Sequence, residues 1–528
     1  MAVPLSPPAP ASDVDGSPKG LRAGALGLLS SVVIGVASTA PGYSLAATLG
    51  FIVIAVGVHS PVVILLAFVP MYFIAVAYRE LNAIDPDCGT GFKWASRVFG
   101  TRMGWLNGWV QIVADIVVMA NLAQISGQYG FLLFGADGLA SSTLWTTVAG
   151  VAWILAMTYI CFRGIEVSAR FQQVLLGIEL LTLAVFAVTA LTKAYTGHGV
   201  EGTIHPALSW FNPFGIGSWS ALSTGVLLAV FIYWGWDTAV SVNEESADKT
   251  RTPGRAAVLS TVILLLTYVV ITIAAQAYAG TGSKGIGLGN EDNAGDVFAV
   301  VGASVLGGTL SKVLIIAVLS SAAASTQTTI LPAARTALSM AVYRAAPRVM
   351  AEVHPRYRTP GITTLAMGAA SIAFYVLLTV VSGNVLADSI ASLGLFIALY
   401  LGVTGLVCAW TFREALRRAA RAAWVKVGMP LLGGIMLLGA MVKTGKDSIA
   451  ADYGSTSFHG VGGVFLIGVG ALVLGVLALV AWNLRAPEFF RGETLEPFGE
   501  PNRVVELPQQ GGAPGGTTTR SANEGALP

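Results

Sequence analysis

The chain alternates long apolar runs with short polar gaps from Leu21 to Leu484. A bilayer core of about 30 Å needs about 20 apolar residues in a helix. Runs of that length or longer predict twelve membrane-spanning helices: 21–56, 61–79, 103–134, 144–162, 171–193, 215–243, 256–279, 304–341, 361–381, 388–410, 428–444 and 463–484. We therefore expect one all-α transmembrane domain over residues 21–485. Disordered cytoplasmic tails are expected over 1–20 and 486–528.

Two runs are interrupted in their middles. The first reads IGVASTAPGYS over 34–44, where Pro41 removes an amide donor and the glycines tolerate non-helical angles. The sixth reads FIYWGWD over 231–237, again with a glycine and polar groups inside an apolar run. Non-helical backbone at membrane depth is tolerated where it is buried in protein or lines a wet cavity. The alternative for the first run alone is a simple proline kink.

The spacing of the two interruptions gives them a common meaning. They fall in the first and sixth segments, so a repeat of helices 1–5 as 6–10 would place them in matching positions. An odd number of helices makes the second copy enter from the opposite side, and paired interruptions then indicate the binding site. Half-helix N-termini attract an anion and C-termini a cation. A zwitterion such as an amino acid suits such a site.

The charge content agrees with a lipid-exposed protein and sets its orientation. The chain of 528 residues is 54% apolar and 11% charged, with a mean hydropathy of +0.72, whereas soluble domains carry about 25% charged residues. If the N-terminus is cytoplasmic, 25 of the 30 Lys and Arg face the cytoplasm. The other five are Lys193, Lys284, Lys312, Lys443 and Lys446. This asymmetry predicts a multi-pass plasma-membrane protein with both termini inside.

Three stretches resemble the amino acid–polyamine–organocation superfamily of permeases. The stretch from Glu80 to Trp109, with PDCGTGFKW over 86–94, is similar to the family's loop between helices two and three. The stretch from Phe231 to Pro253 resembles its helix six and the loop that follows. The stretch from Arg335 to Pro360, with HPRYRTP over 354–360, is similar to its loop between helices eight and nine. The resemblance spans nearly all of 20–485 and implies the five-plus-five inverted-repeat fold of the bacterial leucine transporter, with helices 1 and 6 broken and helices 11 and 12 added.

The resemblance also implies a substrate site. Backbone amides around Ser38, Thr39, Ala40 and Gly42 would receive a carboxylate. Carbonyls near Val33, Ile34, Phe231, Ile232 and Tyr233 would receive the amine, with Trp234 and Gly235 beside them. Two positions depart from the family pattern: Ala40-Pro41-Gly42 replaces Gly-Ser-Gly, so Pro41 cannot donate, and Glu179 stands where a lysine is common.

Carboxyl groups inside apolar segments are costly, and function is one reason to keep them. Glu179 and Asp237 are the candidates for proton coupling, and a protonated or hydrogen-bonded structural carboxyl is the alternative. Candidates for gating or lining the cavity are Trp236, Asp115, Ser321 and Gln327. Glu244 and Glu245 with Arg335 and Arg358 are expected to form a structural ion-pair network.

These features predict a secondary active transporter of amino acids, preferably neutral ones, that works by alternating access with proton symport or exchange. A polyamine or other organic-amine permease is the alternative within transporters. A membrane-embedded enzyme is a remote alternative, because all five histidines fall in loops without metal-ligand spacing, and a channel would require charged rings. Cys88, Cys161 and Cys408 have no paired spacing. We expect no catalytic residues, metal, cofactor or nucleic-acid partner, and the oligomeric state stays open.

Overall fold

The computed structural model describes residues 17–307, 311–417 and 419–495. Nineteen α-helices account for most of them. They are α1 Leu28–Ser38, α2 Pro41–Val56, α3 Ser60–Ile84, α4 Gly91–Phe99, α5 Thr101–Leu133, α6 Asp137–Ala140, α7 Thr143–Arg163, α8 Ile165–Tyr195, α9 Trp219–Ile232, α10 Thr238–Ser241, α11 Thr252–Ala279, α12 Val297–Leu306, α13 Ser311–Val342, α14 Gly361–Val381, α15 Gly383–Thr411, α16 Ala420–Ala423, α17 Met429–Asp447, α18 Gly463–Arg485 and α19 Pro487–Phe490. A two-residue hairpin, β1 Ser457–Phe458 and β2 Val461–Gly462, precedes α18.

Ten helical stretches within the described residues are long and apolar enough to cross a membrane. The first of them, Leu28–Ile84, contains two crossings, because α1 and α2 are separated from α3 by a turn at Gly57–His59. The sixth crossing is made by the shorter α9 together with α10. We therefore count twelve passes: α1 with α2, α3, α5, α7, α8, α9 with α10, α11, α13, α14, α15, α17 and α18.

Helix packing follows a five-plus-five pattern. Passes 3 and 8 pack against each other, as do passes 2 and 7 and passes 4 and 9. Contacts between other passes come in matched pairs, because α1 packs on α11 as α9 packs on α3, and α8 packs on α13 as α15 packs on α5. Exchanging each pass for its counterpart in the other repeat (1 with 6, 2 with 7, 3 with 8, 5 with 10) turns one contact of a pair into the other. This is the arrangement that the inverted repeat predicts.

The two ends of the described chain lie on one face of the bundle. This surface, named the basic face here, is formed by residues 85–100, 243–251 and 343–360. Lys19 contacts Asp87 on it, and Arg344 contacts Glu488. The amphipathic helix α4 lies there, in a stretch that the sequence predicted only as a loop.

The predicted tail boundaries need correction. Lys19 and Leu21 are buried, and Phe489 and Leu495 are buried in an apolar cluster with Phe92. The packed domain therefore begins before residue 20 and continues past 486, because these flanking residues cover apolar surface at the basic face. Residues 1–16 and 496–528 lie outside the described chain, and the prediction of disorder there stands as a prediction.

The segment before pass 8 also differs from the prediction. The sequence ended the seventh pass at 279 and started the eighth pass at 304. The structure instead forms α12, a separate apolar helix whose N-cap Asp296 accepts from the Ala299 amide and which ends at Gly307 with a positive φ of 80°. Pass 8 begins at Ser311.

Candidate functional site

The first pass is broken at Thr39 and Ala40. Helix α1 ends at Ser38, and α2 starts at Pro41, whose missing amide costs nothing at the first position of a helix. Ala40 has φ 47° and ψ 65°, the left-handed conformation that a side chain disfavours. The predicted interruption is therefore a change of chain direction between two half-helices and more than a kink.

The sixth pass is broken where the first one is. Helix α9 ends at Ile232, and Gly235 has a positive φ of 123° before α10 begins. A β-carbon added at Gly235 would lie 2.7 Å from the carbonyl carbon and oxygen of Ser38. The Ser38 and Thr238 hydroxyls share a hydrogen bond of 2.8 Å. The two breaks thus touch backbone to backbone, and glycine is required because no side chain fits between them.

A small cavity lies against both breaks and is completed by α5 and α13. Its volume is about 20 Å³, close to the space that one water needs. Of the predicted substrate-binding residues, six line it: Ser38, Thr39, Ala40, Phe231, Trp234 and Gly235. Five are not part of its lining: Val33, Ile34, Gly42, Ile232 and Tyr233. In this conformation the space between the breaks is narrow.

Two carboxyl groups line the cavity. Asp115 on α5 and Asp237 in the sixth-pass break are both buried. Asp237 Oδ2 accepts from the Tyr400 hydroxyl at 2.9 Å, and Tyr400 also bonds with the indole nitrogen of Trp234. Asp115 Oδ2 is buried and has no hydrogen-bond partner within the described protein. Buried carboxylate oxygens usually have a hydrogen-bond partner, so Asp115 retains an acceptor that a water or a ligand group could use.

Glu179 lies outside that cavity, on the other side of Gly42. Its Oε1 accepts from the Gly42 amide at 2.7 Å and from the Ser321 hydroxyl at 2.8 Å. The residue is fully buried, and Oε2 has no partner among the described residues. A carboxylate at the start of α2 is favoured by the positive end of the helix dipole. Glu179 therefore caps the half-helix whose amides were predicted for the substrate.

The amides around the first break, which were predicted to receive a carboxylate, have partners within the protein in this conformation. The Thr39 amide donates to Val36 O and the Ala40 amide to Ala37 O, each at 3.1 Å, and the Gly42 amide is taken by Glu179. The next two amides are engaged as well, Tyr43 N by the Ser321 hydroxyl at 3.2 Å and Ser44 N by Ala40 O at 2.7 Å. No amide from Thr39 to Ser44 is free for a carboxylate in this conformation.

Of the residues whose carbonyls were predicted to bind an amine, only one lines the cavity. Phe231 lines the cavity, whereas the Ile232 carbonyl accepts from the Tyr268 hydroxyl at 2.5 Å. Ile34 is buried in an apolar cluster with Leu26. Val33, Ile34, Ile232 and Tyr233 thus lie beside the breaks and are not among the residues that line the cavity.

Three further predicted residues have structural partners instead. Trp236 packs edge-on against Tyr78, with ring centroids 5.3 Å apart, and does not line the cavity. Ser321 positions Glu179. Gln327 accepts from Gln172 at 2.5 Å and joins α13 to α8, and it is not among the residues that line the cavity in this conformation. The polar side chains that α13 does bring to the cavity are Ser325 and Thr329, one turn apart.

Tyr400 is the site residue that the sequence analysis missed. It lies on α15 and is fully buried, and its hydroxyl joins Trp234 to Asp237. Its sequence signal is a single tyrosine within an apolar helix, which also suits a residue that only packs against other helices.

The basic face is closed by a buried ionic network. Lys19 Nζ lies 2.7 Å from Asp87 and 2.6 Å from Glu244, and Lys93 Nζ lies 3.3 Å from Asp87. Burial alone would raise the pKa of Asp87. The positive charges of Lys19 and Lys93 have the larger effect and hold that pKa well below its usual range. The same pairing raises the pKa of Lys19. The network ties the N-terminal segment to the loop after pass 2 and to the end of pass 6.

The structure places the four residues of the expected ion-pair network, Glu244, Glu245, Arg335 and Arg358, in separate contacts. Arg335 forms a two-pronged ion pair with Glu245, at 2.6 and 2.9 Å. Glu244 pairs with Lys19, which the sequence had assigned to a disordered tail. Arg358 instead lines a second cavity of about 410 Å³ at the basic face, with Arg22 and Glu166.

Paired broken helices beside a buried polar cavity, inside a twelve-pass inverted repeat, are an arrangement typical of membrane transporter folds. The particular family is the amino acid permease family, whose model matches residues 24–482, and the chain belongs to it. The members of this family are transporters and not enzymes, in agreement with the sequence analysis.

Several relatives support the assignment. A branched-chain amino acid permease of Lactococcus lactis is 26% identical over 238 residues, which cover 41% of this chain and 49% of that protein. A low-affinity putrescine importer of Escherichia coli is 24% identical, covering 48% of this chain and 54% of that protein. An uncharacterized transporter of Mycobacterium tuberculosis is 29% identical over 350 residues, which cover 66% of this chain and 72% of that protein. The chain thus spans about half the length of the two relatives with named substrates.

A solved structure, that of a manganese transporter of Eremococcus coleocola, superposes with a TM-score of 0.56. The match covers 88% of this chain and 96% of that one at 16% identity. At that identity the likeness concerns the fold alone.

Proposed function

We propose that this protein is a proton-coupled secondary transporter that carries an amino acid or related amine across the plasma membrane by alternating access. The observation that carries the proposal is the contact between the two breaks, Gly235 against Ser38, at a cavity lined by two buried carboxyl groups. Each break joins half-helices that can move separately. A substrate held between them would therefore be released when one half-helix tilts away.

The basic face is the cytoplasmic side in this proposal. It carries both ends of the described chain and eight basic residues in its three defining segments, and basic residues favour the cytoplasm. Lys19, Asp87 and Glu244 close this side in the described conformation. Opening toward the cytoplasm would separate the N-terminal segment and α1 from the loop after pass 2.

Glu179 carries the coupling proton in this proposal. An ionised carboxylate in an apolar interior is costly unless it is paired, and its two hydrogen-bond donors here, Gly42 N and the Ser321 hydroxyl, are both neutral. Protonation removes the negative charge that these donors stabilise, so the hydrogen bond from the Gly42 amide of α2 to Glu179 weakens. Proton uptake and release would thus be linked to movement of the half-helix that borders the cavity. Asp237 is the second candidate for this role.

The test is transport by purified Glu179→Gln protein in proteoliposomes, after a counterflow screen of the unaltered protein with leucine, arginine and putrescine. Glutamine retains an oxygen that accepts from Gly42 but cannot titrate. We expect exchange of the transported compound to persist, while accumulation driven by an imposed pH gradient is lost.

Glu166→Gln is the matched control, because Glu166 lies at the exposed start of the same helix and pairs there with Arg22. It should accumulate substrate as the unaltered protein does. Full pH-driven accumulation by Glu179→Gln would remove Glu179 from the coupling mechanism and leave Asp237.

A further inference from the structure

The second cavity, at the basic face, lies where passes 1 and 5 begin. Its volume is about 410 Å³, and its walls are the segment that leads into α1, the start of α8 and the loop before α14. A β-carbon added at Gly24 of the lining would meet nothing within 4 Å, so this wall borders open space. The cavity is therefore large enough and accessible enough to receive a polar group from outside the protein.

The lining of this cavity is positively charged. Its charged side chains are three arginines, Arg22, Arg356 and Arg358, and one acid, Glu166, and its other residues are glycine or alanine. Arg22 pairs with Glu166 at 3.2 Å, but both side chains are partly exposed, and exposed ion pairs are weak. The arginines of the lining outnumber its acids by two. Guanidinium groups bind phosphate oxygens in a two-pronged geometry, so the lining suits a phosphate anion.

The surface of α8 beside the cavity is of the kind that faces lipid. Its exposed apolar side chains recur every seven residues and form one stripe, which consists of Val167, Val174, Leu181 and Val188. Arg170 is exposed on the same stripe, between Val167 and Val174. An arginine near the end of a membrane helix extends its charge toward the lipid headgroups. The stripe thus reaches the headgroup level at the turn of α8 that carries Glu166.

Helix α1 adds a second apolar surface next to that stripe. The Gln173 amide nitrogen on α8 lies 3.2 Å from the Ser30 hydroxyl on α1, so the two helices run side by side just beyond the cavity. Leu29 and Val174, which adjoin these two residues in the chain, are 71% and 62% exposed. Acyl chains can therefore lie against α1 and α8 while the headgroup is in the cavity.

From this arrangement we infer that the cavity binds the phosphate of an anionic phospholipid from the leaflet at the basic face. Basic pockets between membrane helices are suited to such headgroups. A soluble phosphate offers the same anion but gains nothing from the apolar stripe. The bound phosphate would link the segment before α1 to the loop before α14, so it should stabilise the folded protein. This role goes beyond the proposed transport function and does not depend on the substrate.

The experiment measures lipid binding to delipidated full-length protein in detergent by native mass spectrometry. Phosphatidylglycerol is the anionic probe and phosphatidylcholine the neutral one. We expect one phosphatidylglycerol molecule to bind at least about tenfold more tightly than phosphatidylcholine and to raise the melting temperature. The double variant Arg22→Gln with Arg356→Gln should weaken this binding about tenfold or more, because two guanidinium–phosphate contacts are lost.

The matched control is the double variant Arg417→Gln with Arg421→Gln, which removes the same charge from the exposed segment between passes 10 and 11. It should bind phosphatidylglycerol as the unaltered protein does. Thermal unfolding without lipid shows whether each variant is folded. Arg356→Gln alone, an exposed change, replaces the first double variant if that one does not fold, and a severalfold weaker binding is then expected.

Three outcomes would overturn the inference. One is equal binding of the two lipids. Another is an equal loss of phosphatidylglycerol binding in the Arg22 and Arg356 variant and in the control, which would show a general attraction of anions to this side of the protein. The third is stabilisation by soluble glycerol phosphate that equals that by phosphatidylglycerol at the same concentration and depends on Arg356, which would assign the cavity to a soluble phosphate.

Discussion

At the scale of single residues, the contact between Glu179 and Gly42 has the largest effect on how the site is interpreted. They are 137 positions apart in the chain, and their 2.7 Å hydrogen bond joins pass 5 to the break in pass 1. A buried glutamate alone suggests a titrating group. Its position on the α2 amide also explains why that amide is closed to substrate.

Gly42→Leu should abolish transport while leaving protein in the membrane. A β-carbon at Gly42 would lie 3.4 Å from Glu179 Oε1 and 3.7 Å from Ser321, so the rest of a leucine side chain must displace the Glu179 carboxyl. Counterflow in proteoliposomes and the amount of membrane-inserted protein are the two measurements.

Gly177→Leu provides the matched control for that substitution. Gly177 lies on α8 near Glu179, is exposed at the helix surface, and a β-carbon there meets nothing within 4 Å. Normal exchange by Gly42→Leu would contradict the importance of the Glu179 contact.

Asp87→Asn should lower stability at neutral pH and flatten its acid dependence. The pKa of Asp87 is held below its unfolded value by Lys19 and Lys93, so its contribution is complete above about pH 4 and is lost as pH falls further. Ser339, Tyr343 and the Gly89 amide also donate to this carboxylate. Loss of the charge should reduce the free energy of unfolding by roughly 2 kcal/mol or more at pH 7.

Thermal unfolding in detergent from pH 7 to pH 3 measures the effect. The unaltered protein should approach the variant as the pH drops below about 4, where the aspartate of the unfolded chain is protonated. Asp248→Asn, an exposed change on the same face, should shift stability by less than about 0.5 kcal/mol. If the stabilities of Asp87→Asn and the unaltered protein fall in parallel with pH, the ionic network around Asp87 does not cause the acid dependence.

At the scale of elements, the decisive feature is that two broken helices meet. Each break alone is compatible with a local kink. Their contact, with Gly235 against Ser38 and the shared hydroxyl bond to Thr238, makes them one structural unit. Movement of either half-helix must therefore alter the cavity.

Gly235→Ala should impair transport and lower the melting temperature. The added methyl would lie 2.7 Å from Ser38 backbone atoms, and backbone cannot rotate away as a side chain can. Alanine also disfavours the positive φ of 123°. Counterflow rates and thermal unfolding measure the two effects.

Gly130→Ala is the control for the glycine change, because a β-carbon at this position of α5 has no neighbour within 4 Å. It should retain transport, and its stability should rise by up to about 1 kcal/mol from helix propensity. Full activity of Gly235→Ala would show that the breaks are not tightly coupled.

At the scale of the whole molecule, the repeat explains why twelve passes enclose one central site. Passes 3 and 8 pack together. Pass 1 packs on pass 7 and pass 6 packs on pass 2, so that the two broken passes have matching places in the bundle. Passes 11 and 12 lie outside the repeat, and α17 and α18 pack on α15.

The orientation of the molecule is testable by cysteine labelling in intact cells. Lys284→Cys, in the exposed loop after pass 7, should react with an impermeant thiol reagent from outside. Arg417→Cys, exposed between passes 10 and 11, should react only after permeabilisation. The native cysteines, Cys88, Cys161 and Cys408, are buried, so the background should be low. Labelling of Arg417→Cys in intact cells would invert the proposed topology.

The sequence by itself determined the helices and their order. Apolar length sets the passes because lipid cannot hydrogen-bond the backbone. Pro41 and Gly235 marked the breaks because these residues limit or widen the local backbone angles. The resemblance supplied the family and the repeat, and the family model confirms the family. Errors at the element scale arose at α4 and α12, which are too short for a hydropathy pattern to separate from loops.

Only the tertiary structure decided which polar groups share a space. Glu179 caps α2 through the Gly42 amide, and Gln327 bonds with Gln172 away from the cavity. Tyr400 bonds with Asp237, which lines the cavity. Asp115 and Asp237 are 122 positions apart in the sequence, yet both line one cavity. A chain pattern reports the period of a helix but not its rotation about its own axis. That rotation is set by packing against other passes, and it decides whether a carboxyl faces substrate, lipid or a neighbouring helix.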